Sequence, residues 1–123
     1  MAGLTLDSGA LIAYGRSERR VMVHLKEAIL RGVGLTVPAV TVAEVWRGGA
    51  RSARLATLFE ACSVERLDES LARNAGEAIG KVKRAGVADA IVMASAAQRG
   101  DAVLTSHSRD LMRLRAYFPT VRV

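Results

Sequence analysis

The feature that most constrains this chain is the alternation of short apolar runs with longer stretches of helical pattern. Each short run is separated from the next by at least one predicted helix, which is typical of βαβ units and a parallel sheet. We therefore predict an α/β fold with helices on both faces of a short parallel sheet. The length of 123 residues suits a single domain over 1–123. The predicted strands are Leu4–Leu6, Gly34–Val37, Ser63–Leu67 and Ala102–Thr105, with a possible edge strand at Val121–Val123.

Residues typical of helix ends set the bounds of the predicted helices. Asp7 can cap a helix that begins at Ser8, and Thr41 with Glu44 has the spacing of a capping box. Asp68 and Ser108 are further candidate N-caps, while Gly100 follows an Ala-rich helical run. The other predicted helices span 19–31, 41–47, 50–61, 68–85, 88–99 and 108–114.

Composition excludes several classes of protein. Only 4% of the residues are aromatic, too few for a surface that stacks single-stranded bases. One cysteine, Cys62, allows neither an internal disulfide nor a thiolate metal cage and favours a cytoplasmic location. No apolar run approaches the length of a membrane span. The net charge of +6 favours a polyanionic partner, although solubility alone would also explain it.

Acidic residues follow several of the predicted strands. Asp7 ends the first strand, Glu44 lies in the helix after the second, and Asp89 opens the helix that leads to the fourth. His107 and Asp110 come directly after the fourth strand. Ligands in such folds gather beyond the carboxyl ends of parallel strands, so we expect these side chains to meet there.

Three of these acids, Asp7, Glu44 and Asp89, have apolar sequence neighbours, and acids are seldom buried unless paired or bound to a metal. Three carboxylates at one sheet edge would repel each other unless a cation joined them. An all-oxygen set suits Mg²⁺ or Mn²⁺. Each acid also has a simpler explanation, as a helix cap, a capping-box partner or a charge favoured by the helix dipole. Most other acids have basic or polar neighbours and are predicted to lie on a solvated face: Glu18, Glu27, Glu60, Glu65, Glu69 and Glu77.

Four segments resemble the PIN-domain family, and most closely the VapC-type toxins of bacterial toxin–antitoxin pairs. They are LDSGALIAY, TVAEVWRG, ADAIVMASAAQRGDAVLTS and the following RDL, and together they cover essentially the whole chain in order. AGEAIGKVKRAGVADAIV is also similar to one VapC subgroup. The resemblance implies a three-layer PIN-like fold and an endoribonuclease that depends on Mg²⁺ or Mn²⁺.

The resemblance also implies roles for individual residues. Asp7, Glu44 and Asp89 match the catalytic, metal-binding acids, and Asp110 matches a further acid. His107 stands where relatives of this subgroup usually carry a fourth Asp, so a second metal is open; His107 could act through water, bind Mn²⁺ or contact a phosphate. Residues expected to hold the carboxylates by hydrogen bonds are Ser8, Thr105 and Ser106.

Basic residues near the acids are candidate RNA contacts. Arg47 and Arg51 would follow Glu44 by one and two turns if the helix continued through Gly48-Gly49, and Lys81, Lys83 and Arg84 precede Asp89. The implied partners are an RNA substrate, a VapB-type antitoxin and a second copy of the chain. The predicted dimer surface is the region Trp46–Leu58 or Leu71–Val82.

Other protein classes fit the sequence less well. A PIN-like RNA- or protein-binding module with impaired catalysis is favoured by His107. A haloacid-dehalogenase-like phosphatase needs an acid two residues after Asp7, where Gly9 stands, and a receiver domain needs paired acids at the same strand end. No G-x-G-x-x-G motif follows the first strand, which argues against a dinucleotide-binding protein.

Overall fold

The computed structural model describes residues 3–123 and contains a four-stranded, fully parallel sheet. The strands are β1 Leu4–Leu6, β2 Leu35–Pro38, β3 Ser63–Glu65 and β4 Ala102–Leu104, in the spatial order β3-β2-β1-β4. Thr5 is in register with Thr36 of β2 and Val103 of β4. The chain builds outward from β1 through β2 to β3 and then returns to place β4 on the other side of β1. The strand order thus reverses between β1 and β4, where a crevice opens at the carboxyl ends.

Seven α-helices cover the two faces of the sheet, as the sequence predicts. They are α1 Ser8–Gly15, α2 Arg19–Leu30, α3 Ala39–Val45, α4 Ala53–Glu60, α5 Glu69–Lys81, α6 Val87–Arg99 and α7 Arg109–Leu114. One apolar core joins α1, α2 and α4 to side chains such as Leu6 and Val37. The other joins α5, α6 and α7 to Val103 and Phe118. The predicted three-layer arrangement is therefore confirmed. No helix within residues 3–123 is long and apolar enough to cross a membrane.

Two predicted aspartate caps are present. The side chains of Asp7 and Asp68 accept hydrogen bonds from the backbone N–H groups of Ala10 and Leu71, both at 2.8 Å. Each aspartate has an extended backbone and satisfies one of the N–H groups that the first turn of a helix leaves without a partner.

The predicted capping box at Thr41 is wrong. Helix α3 already begins at Ala39, directly after Pro38, and the Thr41 hydroxyl donates back to the Pro38 carbonyl at 2.8 Å. Thr41 therefore lies inside the helix. Proline is compatible with a helix start because it lacks the N–H that an interior position would need. Glu44 is released from a capping role.

Other bounds differ for local backbone reasons. Helix α3 ends at Val45, because the backbone of Trp46 is extended, with φ −76° and ψ 125°. Gly48 and Gly49 follow with φ of +78° and +61°, so Arg47 and Arg51 do not continue the helix. The predicted helix 50–61 divides into a short 3₁₀ helix, Gly49–Ser52, and α4. Helix α5 ends at Lys81 rather than near Ala85. The predicted strand Val121–Val123 is absent; a single bond from the Val103 N–H to the Arg122 carbonyl, 2.7 Å, ties this segment to β4.

Candidate active site

Asp7 stands at the carboxyl end of β1, beside the point where the strand order reverses. Its side chain is buried, with 5% of the residue exposed, and its backbone N–H still bonds to the Leu104 carbonyl of β4 at 3.3 Å. One carboxylate oxygen caps α1 through the Ala10 N–H. The residue thus joins the end of the strand to the start of the helix.

Burial raises the pKa of Asp7 above its ordinary value of 3.8. The Thr105 hydroxyl and the Ala10 N–H lower that pKa, while the charges of Asp89 and Glu44 raise it further. Two carboxylates from other elements, Asp89 of α6 and Glu44 of α3, therefore act on one buried group. This position resists ionisation unless a cation supplies the missing charge.

Asp89 lies in the first turn of α6, which favours its negative charge through the helix dipole. It is half-buried, and its pKa is raised first by burial and then by the charge of Asp110. Asp110 occupies the first turn of α7, is exposed, and pairs with Arg113 at 2.7 Å. Asp110 is therefore within electrostatic reach of Asp89, although a cation already pairs with it.

Glu44 is exposed on α3, unlike Asp7. It lines a pocket of about 460 Å³ with three arginines, Arg16, Arg47 and Arg51. Arg16 was not among the candidates from the sequence, because only the packing of α1 beside α3 brings it to this pocket. The arrangement places positive charge next to an acid at the mouth of the site, as expected for a groove that receives phosphates.

The β4 end contributes hydroxyls rather than a fourth acid. A methyl group at Gly9 would stand 2.9 Å from Ser106 Oγ and 3.4 Å from both Thr105 Oγ1 and Asp7 Oδ1, so these three polar groups converge on the first turn of α1. Ser8 opens that turn. His107 is exposed, and its backbone N–H donates to Thr105 Oγ1 at 3.0 Å.

The predicted basic residues are exposed but do not form one cluster. The Arg47 guanidinium donates to the carbonyls of Glu44 and Trp46, both at 2.9 Å, and so satisfies the carboxyl end of α3. Arg51 lies in the 3₁₀ helix. Lys81, Lys83 and Arg84 border the loop before α6, where Arg84 has a φ of +63°.

Within residues 3–123, no basic side chain forms an ion pair with Asp7, Glu44 or Asp89. The same residues contain no group of three His, Cys, Asp or Glu side chains arranged to hold one metal ion. The donor chemistry nevertheless fits Mg²⁺, which is commonly held by one or two carboxylates and completes its shell with water and substrate phosphate. Asp7 and Asp89 are the buried and half-buried carboxylates that fit this requirement.

A second polar cluster lies outside the predicted site. Its central residue is Arg99, which forms ion pairs with Glu65 and with Asp101, the latter at 3.0 Å. Glu65 is therefore not on a solvated face, contrary to the prediction. The one signal in the sequence was an aspartate placed directly before the apolar strand β4, because a charge at that position has to find a partner inside the fold.

A parallel α/β sheet with acids beyond its reversal point defines a class of fold that binds ligands at the carboxyl ends of its strands. A family model described as "PIN domain" matches residues 4–116, so the chain belongs to the PIN-domain family, whose members are generally nucleases. No curated protein sequence matches the chain.

Solved structures of toxin–antitoxin complexes share this fold. A chain of DNA-bound VapBC from Salmonella typhimurium has 19% identity and a TM-score of 0.72, with 99% of this chain and 96% of that chain covered. A chain of VapBC2 from Rickettsia felis bound to a promoter DNA fragment has 11% identity and a TM-score of 0.77, with 97% of this chain and 95% of that chain covered. A chain of a toxin–antitoxin complex from Klebsiella pneumoniae has 20% identity and a TM-score of 0.71, with 99% of this chain and 97% of that chain covered.

Proposed function

We propose that the protein is a Mg²⁺- or Mn²⁺-dependent endoribonuclease and the toxin of a VapBC-type pair. The observation that carries this proposal is the buried carboxylate of Asp7, which shares its surroundings with Glu44 and Asp89 and has no basic partner among residues 3–123. Membership of the PIN-domain family and the fold shared with toxin–antitoxin complexes support it.

In this mechanism Asp7 and Asp89 would hold the metal, with Asp110 as a further ligand. A bound ion would lower the pKa of a water molecule and offset negative charge on the reacting phosphate. Glu44, exposed at the mouth of the site, accepts a proton from the attacking water. Thr105 and Ser106 keep the Asp7 carboxylate oriented, and in-line attack leaves a 5′-phosphate and a 3′-hydroxyl.

RNA binding is assigned to the basic side chains around Glu44 and before α6. Arg16, Arg47 and Arg51 line the same pocket as Glu44, and the exposed Lys81, Lys83 and Arg84 lie in the segment before α6. Arginine suits this role because its planar guanidinium matches two phosphate oxygens.

The decisive experiment is cleavage of a structured RNA with Mg²⁺ by the wild-type chain and by Asp7→Asn and Asp89→Asn. We expect loss of cleavage in both variants with the fold retained, since asparagine keeps the size of the side chain but not its charge, and at position 7 it also keeps the helix-cap acceptor. Arg73→Met, an exposed site on α5, is the matched control. Full activity of Asp7→Asn would refute the assignment.

The second candidate is a binding module with impaired catalysis. The observation that favours it is the absence of a three-ligand metal group among residues 3–123, together with the exposed His107 at the expected position of an acid. This candidate predicts RNA binding that Mg²⁺ does not change and no cleavage at any metal concentration. The same assay therefore separates the two candidates.

An antitoxin is the proposed controlling partner. A groove of about 460 Å³ between α2 and the ends of α1 and α4 is lined by Tyr14, Met22, Val23, Leu25, Ile29 and Leu58. Val23 and Ile29 are 54% and 47% exposed, and such apolar positions suit anchors at helical spacing on a partner segment. We expect that segment to bring a basic residue to the acids, so that inhibition and metal binding compete.

The chain is also proposed to form a homodimer. Of the two predicted surfaces, α5 already uses Leu71, Ala75 and Ala78 against α6, which leaves the region around Trp46. Trp46 stacks on Phe59 with ring centroids 6.1 Å apart and remains 41% exposed. Sedimentation at micromolar concentration tests the dimer; a mass of 13.1 kDa throughout would exclude it.

A further inference from the structure

Arg99 connects three elements through directional hydrogen bonds. Beyond its ion pairs with Glu65 and Asp101, it donates to Thr5 Oγ1 at 2.7 Å and to Ser95 Oγ at 2.8 Å. The Thr5 hydroxyl in turn donates to Asp101 Oδ2 at 2.9 Å. We call these five residues the Arg99 network.

The Arg99 network lies between α6 and the sheet. Ser95 and Thr5 are fully buried, and the Asp101 side chain is 6% exposed. Ser95 and Arg99 belong to the last half of α6, Thr5 to β1, and Glu65 to the end of β3. One guanidinium therefore ties a single helix to two strands that are separated by β2.

Two of the proposed metal ligands lie on the same elements. Thr5 precedes Asp7 by two residues, so both side chains lie on the same face of the strand. Asp89 is ten residues before Arg99, roughly 15 Å away at the other end of α6. A small tilt of the helix about its fixed end would therefore move Asp89 relative to Asp7.

Apolar packing alone does not fix the tilt of α6 narrowly. The buried apolar residues of the helix combine three larger side chains with three alanines: Ile91, Val92, Met93, Ala90, Ala94 and Ala96. Apolar burial is non-directional, whereas hydrogen bonds demand a narrow range of distance and angle. The polar contacts near Arg99 therefore add a directional restraint on the orientation of α6 over β1.

We propose that the Arg99 network is a positioning device that holds α6 against β1 so that Asp89 faces Asp7. The proposal rests on the function proposed above, since it assigns the network a role in metal binding by those two acids. None of its five residues is among the proposed metal ligands or RNA contacts. The alternative is that the network only neutralises buried charge and stabilises the fold.

Thr5 offers a variant that separates these roles. Thr5→Val keeps the shape of the side chain and removes the hydroxyl, while Arg99 keeps Glu65, Ser95 and Asp101 as partners. Thr5→Ser restores the hydroxyl. Thr57→Val is the matched control, because the Thr57 hydroxyl bonds only to the Ala53 carbonyl on the exposed side of α4.

Mn²⁺ binding is measured by the electron paramagnetic resonance signal of free Mn²⁺, at a temperature at which all variants are folded. We expect Thr5→Val to weaken Mn²⁺ binding by on the order of tenfold, the low end of the effect of losing a residue that orients metal ligands. Thr5→Ser and Thr57→Val should bind like the wild type. A Thr5→Val protein that melts earlier but binds Mn²⁺ normally would overturn the proposal.

A second measurement keeps this test independent of the proposed function. In the metal-free protein, the carboxyl carbon resonance of Asp89 should shift in Thr5→Val and return in Thr5→Ser. If the wild type binds no Mn²⁺, the proposed function fails, and this resonance alone decides whether the network positions α6. An unchanged Asp89 resonance in Thr5→Val would then refute the positioning role.

Discussion

Two groups of carboxylates in this fold differ in whether a basic side chain pairs with them. Around Arg99, the acids Glu65 and Asp101 share one guanidinium, and Thr5 and Ser95 complete their hydrogen bonds. Around Asp7, the acids Glu44 and Asp89 have no basic partner within residues 3–123. We call the group around Arg99 the closed cluster, because a cation pairs with its acids. We call the group around Asp7 the open cluster, because its acids have no basic partner within residues 3–123.

The difference separates acids whose charge the fold itself neutralises from acids whose charge requires a cation from outside the protein. A buried charge without a partner destabilises the folded state, so an open cluster persists only if it has a use. The closed cluster supports the elements on which the open one is built. The predictions below test this contrast, beginning with the largest expected effect.

Removing the cation of the closed cluster should have the largest effect on stability. Arg99→Met leaves Glu65 and Asp101 without a counter-charge, and we expect a loss of about 3 kcal/mol in the free energy of unfolding, near the lower end for a broken buried pair. Urea denaturation measures it. Arg73→Met, which breaks the exposed pair with Glu69, should cost about 0.5 kcal/mol or less. Equal losses in the two variants would contradict the contrast.

Removing a charge from the open cluster should have the opposite sign. Without metal, Asp7→Asn ends the repulsion by Asp89 and Glu44 and can keep the hydrogen bond to Ala10. We expect it to stabilise the protein by about 0.5–2 kcal/mol, as is common when a functional group is replaced at the expense of activity. Thermal unfolding in a chelator measures the change. Destabilisation of the folded protein by Asp7→Asn would show that the carboxylate is structural.

The same effect should depend on pH. The pKa of Asp7 in the folded protein is raised above 3.8, so the folded state holds this proton more tightly than the unfolded state. Its contribution to stability is fully present below pH 3.8 and is lost as the pH rises through the folded pKa. The stability advantage of Asp7→Asn should therefore vanish at low pH and grow towards neutrality. Denaturation of both proteins across this range gives the comparison, and an advantage that does not vary with pH would exclude Asp7 as its source.

The basic side chains beside the open cluster should contribute to RNA binding. Loss of Arg47 and Arg51 together should lower the slope of log affinity against log salt concentration by roughly 1–2 units. Loss of Arg31 and Arg73, two exposed arginines paired within their own helices, is the control. Binding is measured with Ca²⁺ in place of Mg²⁺ to slow cleavage. A slope that changes equally in both double variants would mean that RNA does not enter by this pocket.

The smallest expected change in stability concerns one methyl group. Gly9→Ala places a methyl group between Ser106, Thr105 and Asp7, so it should reduce cleavage while changing stability by less than about 1 kcal/mol. Gly76→Ala on α5 meets no atom within 4 Å and should stabilise the helix by about 0.5–1 kcal/mol with normal cleavage. Normal cleavage by Gly9→Ala would place the reacting phosphate away from this turn.

Most of the fold could be predicted from local patterns. The alternation of apolar runs with helical stretches predicted the four parallel strands and the layers of helices. Asp7 and Asp68 correctly predicted the start of the helices that they cap. The errors came from backbone details that propensity does not resolve. Helix α3 begins directly after Pro38, two residues before Thr41. Gly48 and Gly49 have positive φ, so Arg47 and Arg51 do not lie on one helix with Glu44.

The sequence by itself determined which acids follow the strands and in what order the elements that carry them occur. It also placed these acids at one edge of the sheet, because the carboxyl ends of parallel strands lie at the same edge. Only the tertiary structure decided that Asp7 is buried while Glu44 is exposed, and that Arg16 joins the pocket beside Glu44. It also decided that Glu65, Arg99 and Asp101 form a closed network. The physical reason is that burial and charge pairing arise from contacts between residues as many as 96 positions apart, which no local pattern encodes.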